Sequence, residues 1–178
     1  MGAGEAARAL EGLDDTVALQ VLERLNPGVV GDIISHLADE RRSRLFAAGP
    51  SALTKQWSLN QAFAEDSIGR LMDPPTAVFH PSETVAEVTD KVRALVKKIF
   101  VTYCCITDET GKLVGIVTMR DLLVSDPSAR LQDLMLRDPF VLSPTTSLTD
   151  AMKAVVYRHY PVYPVCDDAG ILIGLVRG

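Results

Sequence analysis

Two stretches of this chain, residues 71–124 and 134–178, are copies of one unit, and that duplication constrains the fold more than any other feature. Leu71-Met72, Pro81, Thr84 and Val85 recur as Leu134-Met135, Pro144, Ser147 and Leu148, each 63 residues further on. Gly111 and Gly115 recur as Gly170 and Gly174 at a spacing of 59, so the second copy is four residues shorter between its helix and its hairpin. Duplicated units of this size stack into one pseudo-symmetric body and leave clefts between the copies.

Within the first copy the pattern predicts a strand (Ala77–Phe79), a helix (Val85–Lys97), two strands (Val101–Thr107 and Leu113–Val117) and a closing helix (Met119–Ser125). Thr84-Val85-Ala86-Glu87 is a capping box, which marks where the first helix starts. Asp108-Glu109-Thr110-Gly111 is a hairpin turn in which the glycine is free to take positive φ. The second copy follows the same plan. Ser147-Leu148-Thr149-Asp150 opens its helix and Asp167-Asp168-Ala169-Gly170 forms its turn. It stops at Leu175-Val176-Arg177-Gly178, inside the unit, so a longer parent protein is expected.

Residues 5–48 read as short helices. Val17, Val21, Leu22 and Leu25 form one apolar set, and Val29, Ile33, Ile34 and Leu37 form another twelve residues on. The i, i+4, i+5, i+8 spacing places each set on one helix face. Asn26-Pro27 between them reads as an N-cap followed by proline at the first helical position. Gly49-Pro50-Ser51 breaks the pattern, and a further helix around Leu53–Phe63 carries Trp57 at packing spacing from Leu53. Short helices cannot bury their faces alone, so this segment is a small helical layer or part of a superhelix. His36 is an isolated histidine near an apolar face and reads as structural. The expected fold class is α+β: a helical segment (1–64), then β-α-β-β-α repeats over 65–127 and 128–178.

At 47% apolar and 23% charged residues the composition is that of a globular protein with a real core. The net charge of −5 argues against a nucleic-acid partner and suits cation binding. No apolar run approaches the roughly 20 residues that span a bilayer, and the N-terminus lacks a signal-peptide core. Cys104, Cys105 and Cys166 lie in apolar strands. Their odd count and spacing speak for reduced core thiols over a disulfide or zinc site.

The strand-to-helix turn Gly115-Ile116-Val117-Thr118-Met119-Arg120-Asp121 is the most informative motif. Thr118 stands at the helix N-cap with Asp121 three residues on. One reading is a capping pair. The other is a phosphate-binding turn with Arg120 as a cation and Asp121 as an acceptor for ribose hydroxyls. The second copy carries Arg177 in place of the threonine, so only one of the two related clefts holds the full motif. Tyr103 and Tyr160 are candidates to stack on a base, and equally for core or rim packing.

The tandem β-α-β-β-α pattern over residues 68–178 resembles a pair of cystathionine-β-synthase-type (CBS) repeats. Glu65–Met72 (E-D-S-I-G-R-L-M) is similar to the lead-in to the CBS pair of MgtE-like magnesium transporters. Gly115–Pro127 (G-I-V-T-M-R-D-L-L-V-S-D-P) resembles the same family, and the helical segment resembles a shortened form of its N domain. The resemblance implies a cytosolic regulatory region on the cytoplasmic side of the cell membrane. It implies a homodimer joined through the CBS pair, attached to a transmembrane part of the same protein. It further implies Mg²⁺ sensing, and ATP or a related adenine nucleotide near Tyr103, Arg120 and Asp121.

Glu65, Asp66, Asp73, Asp90, Asp126 and Asp138 are candidate Mg²⁺ ligands, because Mg²⁺ keeps several waters and needs few carboxylates. MgtE relatives present acids near the end of the second repeat's helix, where this chain has Thr149, Arg158 and His159. Leu122, Leu123, Leu134 and Met135 are more apolar surface than one small sheet needs, which also points to a dimer. His36, His80 and His159 fall in unrelated places and no serine or cysteine has a base beside it, so no enzyme activity is expected. Two rival readings remain open: a nucleotide-sensing CBS module serving another enzyme or channel, and a structural dimerisation module without ligand.

Overall fold

The computed structural model describes residues 2–178. They divide into two compact units: one holds the chain up to Pro74 together with Pro144–Leu148, the other Pro75–Ser143 and Thr149–Gly178. No helix among the described residues is long and apolar enough to cross a membrane.

The first unit is helical. Its helices are α1 (Ala3–Glu11), α2 (Asp15–Leu22), α3 (Pro27–Ser35), α4 (Asp39–Ala48), α5 (Ser51–Gln61) and α6 (Ile68–Leu71). Local chemistry sets their starts. The Asp14 carboxylate accepts from Val17 N at 2.9 Å, and the Asn26 side chain accepts from Gly28 N at 2.9 Å with Pro27 at the first position. Gly49-Pro50 separates α4 from α5 as the sequence predicts. Trp57 is buried and joins Leu19, Leu22, Val30, Ile33, Ile34, Leu37 and Leu45 in one core. His36 caps α3, with Nδ1 at 2.8 Å from Asp32 O, in keeping with a structural role.

The two predicted apolar faces need correction. Leu22 is buried, but Val17, Val21 and Leu25 are each more than a third exposed, and Ala18 and Leu19 are buried in their stead. The spacing assumed a helix running to Leu25, whereas α2 ends at Leu22. In the second set Ile33, Ile34 and Leu37 are buried, while Val29 is half exposed and Val30 takes its place. A helix of two turns is oriented by its neighbours more than by its own periodicity.

The second unit contains β1 (Val78–Phe79), α7 (Val85–Leu95), β2 (Tyr103–Thr107), β3 (Leu113–Thr118), α8 (Met119–Val124), α9 (Leu131–Leu134) and β4 (Leu136–Arg137). Then come α10, which spans Leu148–Val155 and so begins at the last residue of the helical unit's segment, β5 (Val162–Cys166) and β6 (Leu172–Arg177). One sheet has the order β1-β2-β3-β4, with β1 parallel to β2 and the other pairs antiparallel. The other is the hairpin β5-β6, against which Leu142 forms a parallel bridge to Val165, as β1 does to β2. The Thr84 capping box is present: Thr84 N donates to Glu87 Oε2 at 2.9 Å and Glu87 N to Thr84 Oγ1 at 3.3 Å. Gly111 and Gly170 have φ of +86° and +83°, which the two tight hairpins require. The hairpin tips pair with each other, Leu113 N to Gly170 O at 3.0 Å and Leu172 N to Gly111 O at 3.1 Å.

Phe79, Val88, Val92, Cys104, Ile106, Val117, Leu122 and Leu131 form the core of this unit. Leu134 and Met135 pack against that core and Leu122 lies inside it, so these three are not spare dimer surface. Leu123 is 82% exposed.

Each repeat also grips a lead-in helix. In the second unit Val85 N, Leu131 N and Gln132 N donate to Ala129 O, Glu83 O and Pro81 O at 2.9–3.0 Å. In the first unit Leu148 N, Ile68 N and Gly69 N donate to Asp66 O, Thr146 O and Pro144 O at 2.7–2.9 Å. This second set is why Pro144–Leu148 belongs to the helical unit.

Candidate functional site

Strand β3 ends at Thr118, where α8 begins. Thr118 Oγ1 accepts from Asp121 N at 3.1 Å, and Asp121 Oδ2 accepts from Thr118 N at 2.9 Å and from Thr118 Oγ1 at 2.8 Å. The capping reading of this motif is thus realised. It does not consume the carboxylate. Asp121 is half-buried, and among the described residues its Oδ1 takes no hydrogen bond, which leaves an acceptor for a hydroxyl donor. Arg120 is exposed on the first turn of α8.

Beside this turn, the strands of both repeats enclose a cavity of about 90 Å³. Tyr103, Ile116 and Thr118 line it from the first repeat, Leu136 and Phe140 from the connection, and Tyr160, Val162 and Pro164 from the second. Tyr103 pairs with Thr118 across β2 and β3, so both side chains stand on one face of the sheet. The Tyr103 and Tyr160 rings meet edge-on, with centroids 6.5 Å apart and planes at 81°. Burial, reinforced by Tyr160 and Tyr163, pushes the Tyr103 phenol above its ordinary pKa and keeps it neutral. The structure therefore brings Tyr103, Thr118 and Tyr160 together, with Asp121 bonded to Thr118. Arg120 does not line the cavity.

Sequence reasoning missed Leu136, Phe140, Val162 and Pro164. Phe140 is held by the Arg158 guanidinium, 3.9 Å from its ring centroid, and by Tyr163, edge-on at 6.0 Å. The aromatic density of Tyr157–Tyr163 was a usable signal for this side of the cavity. Leu136 had none, because β4 is only two residues long.

The candidate metal ligands are dispersed. Glu65 and Asp66 are exposed and Asp73 is half-buried, all in the helical unit. Asp90, Asp126 and Asp138 are exposed in the second unit. Asp126 accepts from Ser128 Oγ and N at 2.6 and 2.8 Å, which holds its carboxyl below the usual range. Asp138 adopts a left-handed φ of +51°. Among the described residues, no group of three or more His, Cys, Asp or Glu side chains could hold a metal ion. The cysteines are free and buried, and burial pushes Cys104 and Cys105 up to about 12 and Cys166 up to about 11, as expected for inert core thiols.

The family model of the CBS domain matches residues 68–126 and 131–177. The magnesium transporter MgtE of Thermus thermophilus is 30% identical over 115 residues, which cover 64% of this chain and 26% of that protein. The inosine-5'-monophosphate dehydrogenase of Nitrosopumilus maritimus is 39% identical over 72 residues, covering 40% of this chain and 15% of that one. The chain thus spans about a quarter or less of these curated relatives. The crystal structure of the cytosolic domain of the Mg²⁺ channel MgtE in complex with ATP superposes with a TM-score of 0.84 at 25% identity, covering 99% of this chain and 73% of that one. With both repeats matched and the helical unit included in that superposition, the chain belongs to the CBS domain family and, within it, resembles the cytosolic region of MgtE.

Proposed function

We propose that this chain is the cytosolic regulatory region of a magnesium transporter, which senses Mg²⁺ and an adenine nucleotide and acts on a transmembrane part of the same protein. One observation carries the reading. The likeness to the ATP-bound MgtE cytosolic domain extends over 99% of the chain, helical unit included. The likeness to the dehydrogenase covers 40%. A CBS module serving an unrelated enzyme has no need of that helical unit.

In this reading the nucleotide occupies the cleft beside Thr118. Tyr103 lies against the base with Tyr160 at its rim, Asp121 Oδ1 accepts from the ribose and Arg120 offers charge to the phosphates. Calorimetric titration with ATP, ADP and AMP tests it. Asp121→Ala is expected to weaken binding at least about tenfold, the worth of one charge-assisted hydrogen bond. Asp121→Asn keeps a cap acceptor and controls for folding. Equal affinity in parent and both variants sinks the assignment.

Homodimer formation is supported by the exposed apolar side chains of Leu123, Val124, Met152 and Tyr157, between 69% and 90% exposed. Mg²⁺ would act at Glu65, Asp66 and Asp73 of the helical unit, or at Asp126 and Asp138 of the other. Among the described residues no three-ligand cluster forms, so waters or a second copy would complete the shell. Sedimentation velocity in MgCl₂ and in KCl at equal ionic strength reads both claims. A dimer that becomes more compact in MgCl₂ alone is expected. A monomer at all micromolar concentrations removes the dimer, and identical profiles in both salts reduce the Mg²⁺ effect to screening.

A further inference from the structure

The cleft is too small for the ligand just proposed. Its volume is about 90 Å³, whereas pockets for small molecules run from roughly 300 to 1,000 Å³. Part of its lining has to move, and the rings are not equally free to do so. Tyr103 lies within β2, with its backbone paired to Thr118. Phe140 is covered by Arg158 and by Tyr163, which is itself buried. Tyr160 lies outside any strand and is 42% exposed.

Two further observations single out Tyr160. The residue before it, His159, has a left-handed φ of +51°, a conformation that non-glycine residues adopt at a cost and that here aims the next side chain. The matching residue of the first repeat, Phe100, does not have it. The first repeat also carries Val101 where the second carries Tyr160. The repeat fold therefore requires neither the left-handed turn nor the ring.

We propose that Tyr160 is a displaceable gate. In the absence of ligand its ring fills the slot against Tyr103, and it turns outward to admit the flat aromatic base of a nucleotide. This rests on the nucleotide reading above. The backbone stays in place, because Tyr160 N donates to Tyr163 Oη at 3.1 Å and Gly178 N to Pro161 O at 2.9 Å. Only the side chain swings. Opening gives up two edge contacts, to Tyr103 at 6.5 Å and to Tyr163 at 5.8 Å. A base restores one of them by laying its face on Tyr103. A sugar phosphate or free phosphate restores neither, so the gate selects for ligands with an aromatic ring. The fraction of molecules with the gate open scales the association rate.

Ligand-observed NMR tests the gate without a label. Line shapes of the adenine H2 and H8 protons of ATP give koff, titration gives Kd, and their ratio gives kon. Tyr160→Ala is expected to raise kon at least about tenfold, because it removes both edge contacts that hold the gate closed. Tyr160→Phe retains the ring and is expected to keep the parent rate. Binding by Tyr160→Ala with kon within about twofold of the parent, or below it, overturns the gate and leaves the nucleotide reading standing. Binding by Tyr160→Ala alone, with the parent silent, supports a gate that is closed almost all the time. No binding by parent, Tyr160→Phe or Tyr160→Ala at millimolar ATP overturns the nucleotide reading and the gate with it.

Discussion

Val85, Leu131 and Gln132 donate their backbone N–H groups to Ala129, Glu83 and Pro81, and Leu148, Ile68 and Gly69 donate theirs to Asp66, Thr146 and Pro144. Every residue in one set is 63 positions from its mate in the other. The side chains around these matched bonds have diverged. The strand-to-helix turn of the first repeat has Thr118 bonded to Asp121, while the second has Arg177. Lys91 pairs with Glu83 in the first, and the matching positions in the second are Ala154 and Thr146. Backbone hydrogen bonds are indifferent to side-chain identity, so a duplicated frame can be kept while only one copy retains a ligand's chemistry.

The sharpest way to break that comparison is to load matched positions with the same side chain. A Cβ on Gly69 would lie 2.4 Å from the Phe63 ring and 2.9 Å from Pro144 O. Its mate Gln132 is exposed. Gly69→Val should cost about 3 kcal/mol, at the top of the range for overpacking, and Gln132→Val less than about 0.5 kcal/mol. Urea denaturation midpoints read both, and equal costs would mean that the two grips are packed alike.

The next effect is alkaline. Burial raises the thiols of Cys104, Cys105 and Cys166 in the fold to between about 11 and about 12, from an ordinary value of 9.0. Above pH 9 the unfolded chain releases these protons and the folded chain keeps them. The unfolded state then binds fewer protons, so stability is full below pH 9 and falls as pH rises toward the folded values. At pH 10 the loss is on the order of 1 kcal/mol for each thiol. Two thiols lie in the first repeat and one in the second, so Cys166→Ala should remove about a third of the thiols' share of the alkaline slope, to which Tyr103 also adds. An unchanged slope in that variant would refute the assignment.

The smallest effect is acidic and confined to one repeat. Burial of Glu83 opposes its charge, but the hydrogen bonds from Lys91 and from His80 N outweigh this and hold its carboxyl below the ordinary 4.5. A depressed carboxyl stabilises the fold above the unfolded pKa, and the contribution is lost as pH falls through the folded value. Amide exchange at Val85 and Leu131 should therefore accelerate below about pH 4.5 relative to exchange at Leu148 and Ile68. Parallel acceleration at all four amides would show that the Glu83–Lys91 pair does not distinguish the repeats.

Most of the repeat was legible because its signals are local. Thr84 and Glu87, Thr118 and Asp121, and the glycines at 111 and 170 each specify a cap or a turn within four residues. Where the signal was tertiary, reading failed. β4 and the Leu142 bridge are too short to show periodicity, and α2 takes its buried face from its neighbours. The same division runs through the site. Tyr103, Thr118, Asp121 and Tyr160 stood out as residue types in suggestive places, whereas Phe140 with its Arg158 cover emerges only when the connection folds against the second repeat.

The grip on Pro144–Leu148 has a consequence for the order of events during synthesis. The helical unit is translated by Pro74 except for this one segment, which lies beyond all of the first repeat and the start of the second. At roughly 5–20 residues per second, the ribosome takes about 4 to 15 s to go from one to the other. Until then the N–H groups of Ile68 and Gly69 lack the carbonyls they bind in the finished protein. The helical unit, begun before the first repeat, is therefore completed late, after that repeat has left the ribosome.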